Sequence, residues 1–338
     1  MVQIKVQLVG DGMRKKFIFL LGCCLVAILC GCGHEQGNVD HGAAPALVEV
    51  QNYNFRGQET KLRFQKIPER VLVTRPEILD VLAALGVEER VVMASLPKAM
   101  EGELPSYQRL FPDTSFTLNE LDKETAVMQR PDFIIGWRRS FSKSSLGSTE
   151  YWQSKGVPVY IEENSGPIPA VEPFPPGTVA SEIDFINNMG KIFQRETEAA
   201  REVHKIETAL AQAQKLAARH QPQRVLSIAF IRNHIEVFGD KLLLGDIVNL
   251  LGSTNINYPY PFINGEQLLK TDPDVIFLVY HGGKQEAALA LAHLQKEPYA
   301  KMRSVKNNKV TLINYKYLCA SNVRTATTIA TVYRGIYE

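Results

Sequence analysis

Short runs of apolar residues, each set beside a helix-like segment, constrain the fold of this chain more than any other feature. Phe133-Ile134-Ile135-Gly136-Trp137, Val157 to Ile161, Val275 to Tyr280 and Val310 to Ile313 carry almost no polar residue. A strand with one wet face alternates polar and apolar positions. A strand without that alternation is covered on both faces, as in a parallel sheet flanked by helices.

The first such unit opens with the strand Arg70-Val71-Leu72-Val73-Thr74. Pro76 and Glu77 start a helix, because proline is tolerated in a first turn. Ile78, Leu79, Val81, Leu82 and Leu85 make its apolar face, and Gly86 ends it. Arg90 to Ala94 is the next strand, which completes a β-α-β unit. A helix over Thr125–Arg130, the strand Phe133–Trp137, a helix over Thr149–Gly156 and the strand Val157–Ile161 continue the pattern. Upstream, Val48 to Arg63 reads as a hairpin or two edge strands around a turn at Phe55–Gln58.

Pro167 to Gly177 holds five prolines and marks a boundary. From Ser181 to about Ala218 the chain has helical spacing, with a break expected between Gln194 and Thr197. The second half then restarts the alternation. Strands are expected at Arg224–Phe230, Ile235–Phe238, Val275–Tyr280 and Val310–Ile313, and helices at Leu243–Leu251, Gly265–Thr271, Ala287–His293 and Arg324–Tyr337. The segment Gln129–Ile135 parallels Thr271–Phe277, so the halves echo one another. The fold class that follows is α/β, two lobes with mostly parallel sheets covered by helices, joined by a long helical segment.

The amino terminus carries a second message. Met13-Arg14-Lys15-Lys16 is basic, and Phe17 to Gly31 is apolar or small. A basic stretch before a short apolar core is the pattern of a secretory signal, and about 20 apolar residues would be needed to span a bilayer. Its end, Leu29-Cys30-Gly31-Cys32, is similar to the bacterial lipobox, in which the cysteine at the place of Cys32 receives the lipid. Plain secretion or a single membrane anchor are the alternatives. Residues 34–44 are small and polar and read as a tether.

Roughly 300 residues remain after such a leader, enough for two domains. The net charge of +2 gives no field that would favour nucleic acid. Cys32 and Cys319 alone would survive processing; with Cys32 lipidated no disulfide is expected, and Cys319 reads as a small buried hydrophobe. The seven histidines show no paired ligand spacing, so no metal-ligating set is expected. Nucleophile-elbow, zincin and phosphate-loop motifs are missing, so an enzyme is not expected and no cofactor is called for.

Six blocks in order carry a family likeness: Arg70 to Gly86, Arg130 to Trp137, Gly156 to Tyr160, Asn188 to Phe193, Leu244 to Gly252 and Gly265 to Ile276. Over about residues 66–338 the chain resembles the periplasmic binding proteins for iron–siderophore complexes, haem and vitamin B12. That resemblance implies two lobes joined by a rigid backbone helix. It also implies a role as the extracytoplasmic binding component of an ABC importer. Partners would be a permease with its ATPase, a metal-chelate ligand, and the membrane through the lipid anchor; the protein would be a monomer. A ferric siderophore or related iron complex is the expected ligand, with haem or cobalamin as the alternative. A sensor without transport is a further one. The expected organisation is a signal over 1–31, tether and edge strands over 32–65, lobes over 66–177 and 223–338, and a connector over 178–222.

In such proteins an acid on the first helix of each lobe docks onto the permease. Asp80 matches the first position, with Asp for the usual Glu; the second is Asn249 here, with Asp246 one turn earlier as a substitute. Ligands of open α/β lobes meet the loops at the carboxyl ends of strands. Those loops hold Arg75, Trp137, Arg138, Tyr280, His281, Tyr317 and Arg324, with Tyr260 ahead of the helix at Gly265. Arg139, Tyr258, Tyr315, Ser321 and Asn322 lie in the same loops. Arginines offer planar, permanent charge and aromatic rings offer broad apolar faces, a set suited to a large, partly anionic ligand.

Overall fold

A computed structural model describes residues 47–338 apart from 143, 165–174, 233 and 319–320. The expected signal over 1–31, Cys32, the tether, Cys319 and most of the Pro167–Gly177 boundary lie outside the described residues. The chain enters through a hairpin, β1 (Val48–Tyr53) and β2 (Glu59–Phe64). The first lobe follows: β3 (Val71–Val73), α1 (Pro76–Ala84), β4 (Val91–Ser95), α2 (Leu104–Leu110), β5 (Ser115–Thr117), α3 (Lys123–Met128), β6 (Phe133–Gly136), α4 (Thr149–Ser154) and β7 (Val159–Ile161). Its five strands run parallel in the order β5-β4-β3-β6-β7.

Two helices connect the lobes, α5 (Val179–Phe193) and α6 (Glu196–Ala217). The second lobe holds β8 (Arg224–Ile231), β9 (His234–Val237), α7 (Leu243–Leu250), β10 (Thr254–Asn255), β11 (Phe262–Ile263), α8 (Gly265–Thr271), β12 (Val275–Tyr280), α9 (Lys284–Leu294), α10 (Arg303–Lys306), β13 (Val310–Asn314) and α11 (Thr325–Tyr337). Its sheet runs β11-β9-β8-β12-β13, with β10 beside β8. Strands β8, β10, β12 and β13 are parallel; β9 runs antiparallel to β8, and β11 at the edge pairs antiparallel with β9.

Side-chain alternation sorts the strands between three cores. Val71 and Val73 of β3 point one way, and Leu72 points the other. Leu72, Ile134 and Val159 face α3 and α4, where Ala126 and Trp152 cover them. On the second sheet Leu226, Ile228, Ile276 and Leu278 form an outer core with Leu268 and Leu294. The inner faces of both sheets, Val71 and Phe133 on one and Val225 and Phe277 on the other, join a single cluster. Residues of α1, α5, α6, α7 and α11 complete it.

The connector is not the one long helix that the family likeness implies. Gln194 takes a left-handed conformation (φ 55°) and ends α5, which Thr178 and Ser181 start with a reciprocal capping box. Helices α5 and α6 meet closely there: a Cβ on Gly190 would come within 2.6 Å of the Ala199 Cβ. Helix α6 then packs on α1 of the first lobe and α11 of the second.

The hairpin is fastened by a side chain. Asn52 is buried, receives the Ile161 N–H at 2.8 Å and donates to the Ile161 carbonyl at 2.8 Å. It thereby supplies β7, the outer strand of the first sheet, with the pairing a neighbouring strand would give.

Candidate functional site

The carboxyl ends of β3 and β6 in the first lobe face those of β12 and β13 in the second across a cavity of about 610 Å³. Arg75, Glu77, Pro97, Met100, Glu103 and Trp137 line one side. Tyr280, His281, Lys284, Tyr315, Lys316 and Tyr317 line the other. Three cations and two carboxylates with five aromatic side chains, His281 included, give this cavity a mildly basic, ring-rich wall.

Local sequence explains the first wall. Gly136 lacks a Cβ, which would lie 2.3 Å from the Thr74 Oγ1. The bare backbone lets the Trp137 N–H donate to that hydroxyl at 3.0 Å and turns the indole out of the sheet end. Arg75 stacks its guanidinium 4.0 Å from the centre of the Trp137 ring. The same guanidinium donates twice to buried Glu77, at 3.1 and 3.2 Å. A guanidinium centred over an indole and bound twice by a carboxylate is fixed in position.

On the second wall His281 packs on Tyr315 with ring centres 4.3 Å apart. Partial burial pushes the His281 imidazole below its ordinary value, opposed by the nearby Glu286 carboxylate. The Asn314 side chain ties the two loops, donating to the Gly282 carbonyl at 3.1 Å and accepting the Lys316 N–H at 2.9 Å. Lys316 reaches across to Glu103 at 2.9 Å, bridging the cavity rim.

Behind this wall the loop is anchored to the connector. The fully buried carboxylate of Glu182 on α5 accepts the Asn322 N–H at 3.0 Å, the Thr325 hydroxyl at 3.0 Å and the Asn164 amide at 3.2 Å. Glu162, also buried, accepts the Ser321 N–H at 3.2 Å. Burial pushes the Glu182 carboxyl up to about 7, against the pull of its donors.

A family model for periplasmic binding proteins matches residues 71–317. The chain belongs to the periplasmic binding protein family. These proteins are substrate-binding components that work outside the cytoplasmic membrane, and relatives serve ABC transporters. The petrobactin-binding protein YclQ of Bacillus subtilis is 23% identical over 313 residues, covering 89% of this chain and 92% of that one. The Fe(3+)-citrate-binding protein YfmC of the same organism is 21% identical over 270 residues, 79% of each chain. Among solved structures, a periplasmic binding protein from Veillonella parvula superposes with a TM-score of 0.73 at 24% identity, over 86% of this chain and 91% of that one. No helix among the described residues is long and apolar enough to cross a membrane.

The structure of this periplasmic binding protein gathers Arg75, Trp137, Tyr280, His281 and Tyr317 around one cavity. It moves other expected residues elsewhere. Arg138 is 1% exposed; its Nε donates to the Phe55 carbonyl at 2.6 Å and its guanidinium covers the Phe55 ring. A tight 3-10 turn follows β6, so successive side chains diverge, and Arg139 is the one left exposed. Tyr260 is 77% exposed and outside the cavity. Because β9 runs against β8 and β11 runs against β9, the loop before β11 lies toward the carboxyl end of β9, away from the carboxyl ends of β12 and β13.

Asp80 and Arg324 were expected in separate roles, on a permease and on a ligand. In the structure they hold each other, at 3.0 Å. Tyr107 donates to the same carboxylate at 3.2 Å. Burial pushes the Asp80 carboxyl up, while Arg324 and Tyr107 pull it down. Asp246 is half-buried and accepts the Val179 N–H at 2.8 Å, which places it at the start of α5 as well as of α7. Glu77, Met100, Glu103, Lys284 and Lys316 line the cavity although sequence reasoning gave none of them a place in the site. Lys284 and Lys316 follow the same strand ends as His281 and Tyr315, and that position could have found them.

Proposed function

We propose that this protein captures a ferric siderophore or a related iron complex and hands it to an ABC permease and its ATPase. The observation that carries the reading is the cavity of about 610 Å³ between the lobes, with basic and aromatic side chains on both walls. A metal chelate is bulky, often anionic and rich in flat groups, and such walls suit it on each count. The named ligands of YclQ and YfmC, petrobactin and ferric citrate, support the same class. In this reading the protein is a monomer without catalytic activity, held at the extracytoplasmic face of the cell membrane by a lipid on Cys32. Asp80 and Asp246 are the docking acids of this reading, Asp80 in a pair with Arg324 and Asp246 at the start of α5.

Haem is the second reading. His281 lines the cavity beside Tyr280 and Tyr315, and its lowered basicity favours the neutral imidazole that could take an axial position.

Titration of the fragment that starts after Cys32 tests both. Quenching of tryptophan fluorescence is followed with catecholate, hydroxamate and citrate complexes of iron, with haem and with cobalamin. Saturable binding of one iron complex supports the main reading, and binding of haem alone moves the function to the second. Failure of all of them removes the importer role as stated.

A further inference from the structure

A second cavity, of about 350 Å³, lies at the carboxyl edge of the first sheet. The strand ends build it: Thr74 after β3, Ser95 from β4, Leu118 and Asn119 after β5, and Arg139 after β6. Arg75, Pro97 and Trp137 line both this chamber and the interlobe cavity. The stacked Arg75–Trp137 pair is therefore a partition between two compartments.

The chamber has its own chemistry. Arg75, Lys98 and Arg139 bring three cations against Glu120 alone. Arg75 is held by Glu77, and the charge of Arg139 also acts on Glu236 of β9 across the lobes. Lys98 is exposed and forms no ion pair among the described residues. The indole N–H of Trp137 is buried and lacks a hydrogen-bond partner among the described residues. The chain does satisfy its other indole: Trp152 donates to the Leu146 carbonyl at 2.8 Å. A buried donor without an acceptor, on a ring that lines the same cavity as an unpaired cation, is suited to an incoming anion.

We infer that the chamber is a second subsite, which takes a carboxylate-bearing arm of the ligand whose metal-bearing body occupies the interlobe cavity. The inference rests on the iron-chelate reading for the body of the ligand but not for the arm. The carboxylate accepts from the Trp137 indole and pairs with Lys98. A ligand without such an arm leaves the chamber to water.

The two tryptophans make the test direct, because a ¹⁵N–¹H spectrum shows two indole signals, Trp137 and Trp152. Three probes are titrated: citrate without iron, ferric citrate, and an uncharged ferric trihydroxamate. Citrate is expected to shift the Trp137 signal and leave that of Trp152 in place. Lys98→Ala should weaken that response about tenfold, and Asn119→Phe, which fills the chamber from its exposed rim, should abolish it. Both variants should bind the trihydroxamate as the parent does, and an unchanged Trp152 signal reports that they are folded. A Trp137 signal that ignores citrate and ferric citrate overturns the subsite, as does one that responds equally in all three proteins. If no iron complex binds while citrate still shifts Trp137 in a Lys98-dependent way, the iron reading falls and the carboxylate site stands.

Discussion

The carboxylate of Asp80, on the first helix of one lobe, holds the guanidinium of Arg324, at the head of the last helix of the other, at 3.0 Å. The Asp80 side chain is 12% exposed and that of Arg324 is 34% exposed. Removing one partner of a fully buried pair costs about 3–5 kcal/mol, and a partner that can recover water costs less. Asp80→Ala is expected to destabilise by about 1–2 kcal/mol. A double-mutant cycle with Arg324→Ala, read by urea unfolding, checks it. A coupling near zero would show that the two residues act independently.

Stability should fall as pH rises through the neutral range. An acid whose folded value is raised binds its proton more tightly in the folded state, so its contribution is complete below the unfolded value and is lost as pH climbs through the folded one. For Glu182 that window runs from about 4.3, the unperturbed value, to about 7. Glu182→Gln should flatten the slope between roughly pH 5 and 7.5, as measured by denaturant midpoints at several pH values. An unchanged slope would assign it elsewhere, for example to Glu163, which burial and the Asp184 charge also push up to about 7.

Asn52 stands in for a missing strand at the edge of β7. Asn52→Leu removes both bonds to Ile161 and leaves a buried backbone donor and acceptor without partners, which costs about 2–4 kcal/mol. Chemical denaturation measures the loss. Hydrogen exchange should also speed up at the Ile161 amide before it does at Ile134, which lies inside the sheet.

In the cavity, Tyr317→Ala should weaken binding of the iron complex that saturates the protein by roughly tenfold, about 1.4 kcal/mol. Trp137→Phe should weaken it less and remove most of the fluorescence response, since Trp152 is buried away from the cavity. Isothermal titration separates affinity from signal. Full affinity in Tyr317→Ala would exclude that ring from the contact surface.

The sheets were legible because their strands are covered on both faces, which writes each as an unbroken apolar run. Where that cover is partial the sequence falls silent. Ser115-Phe116-Thr117 forms an edge strand with no buried residue, and neither it nor α2 stood out. The cleft aromatics were found because a residue after a parallel strand must sit at its carboxyl end. That rule failed for Tyr260, where the chain doubles back antiparallel. It failed for Arg138 because its neighbour Phe55 belongs to a hairpin far away in sequence. The Asp80–Arg324 pair was invisible for the same reason, since local spacing carries no trace of a contact made between the first and last helices.

The inner faces of the two sheets drain into one apolar cluster through α1, α5, α6, α7 and α11. Neither half of the gene therefore encodes a self-sufficient module. A fragment ending after β7 would present Val71, Phe133 and their neighbours to water as one large exposed patch, and such patches drive aggregation. Truncation between the lobes, a natural-looking cut from the two sheets alone, should give insoluble halves, whereas co-expressed halves can find each other along the shared face.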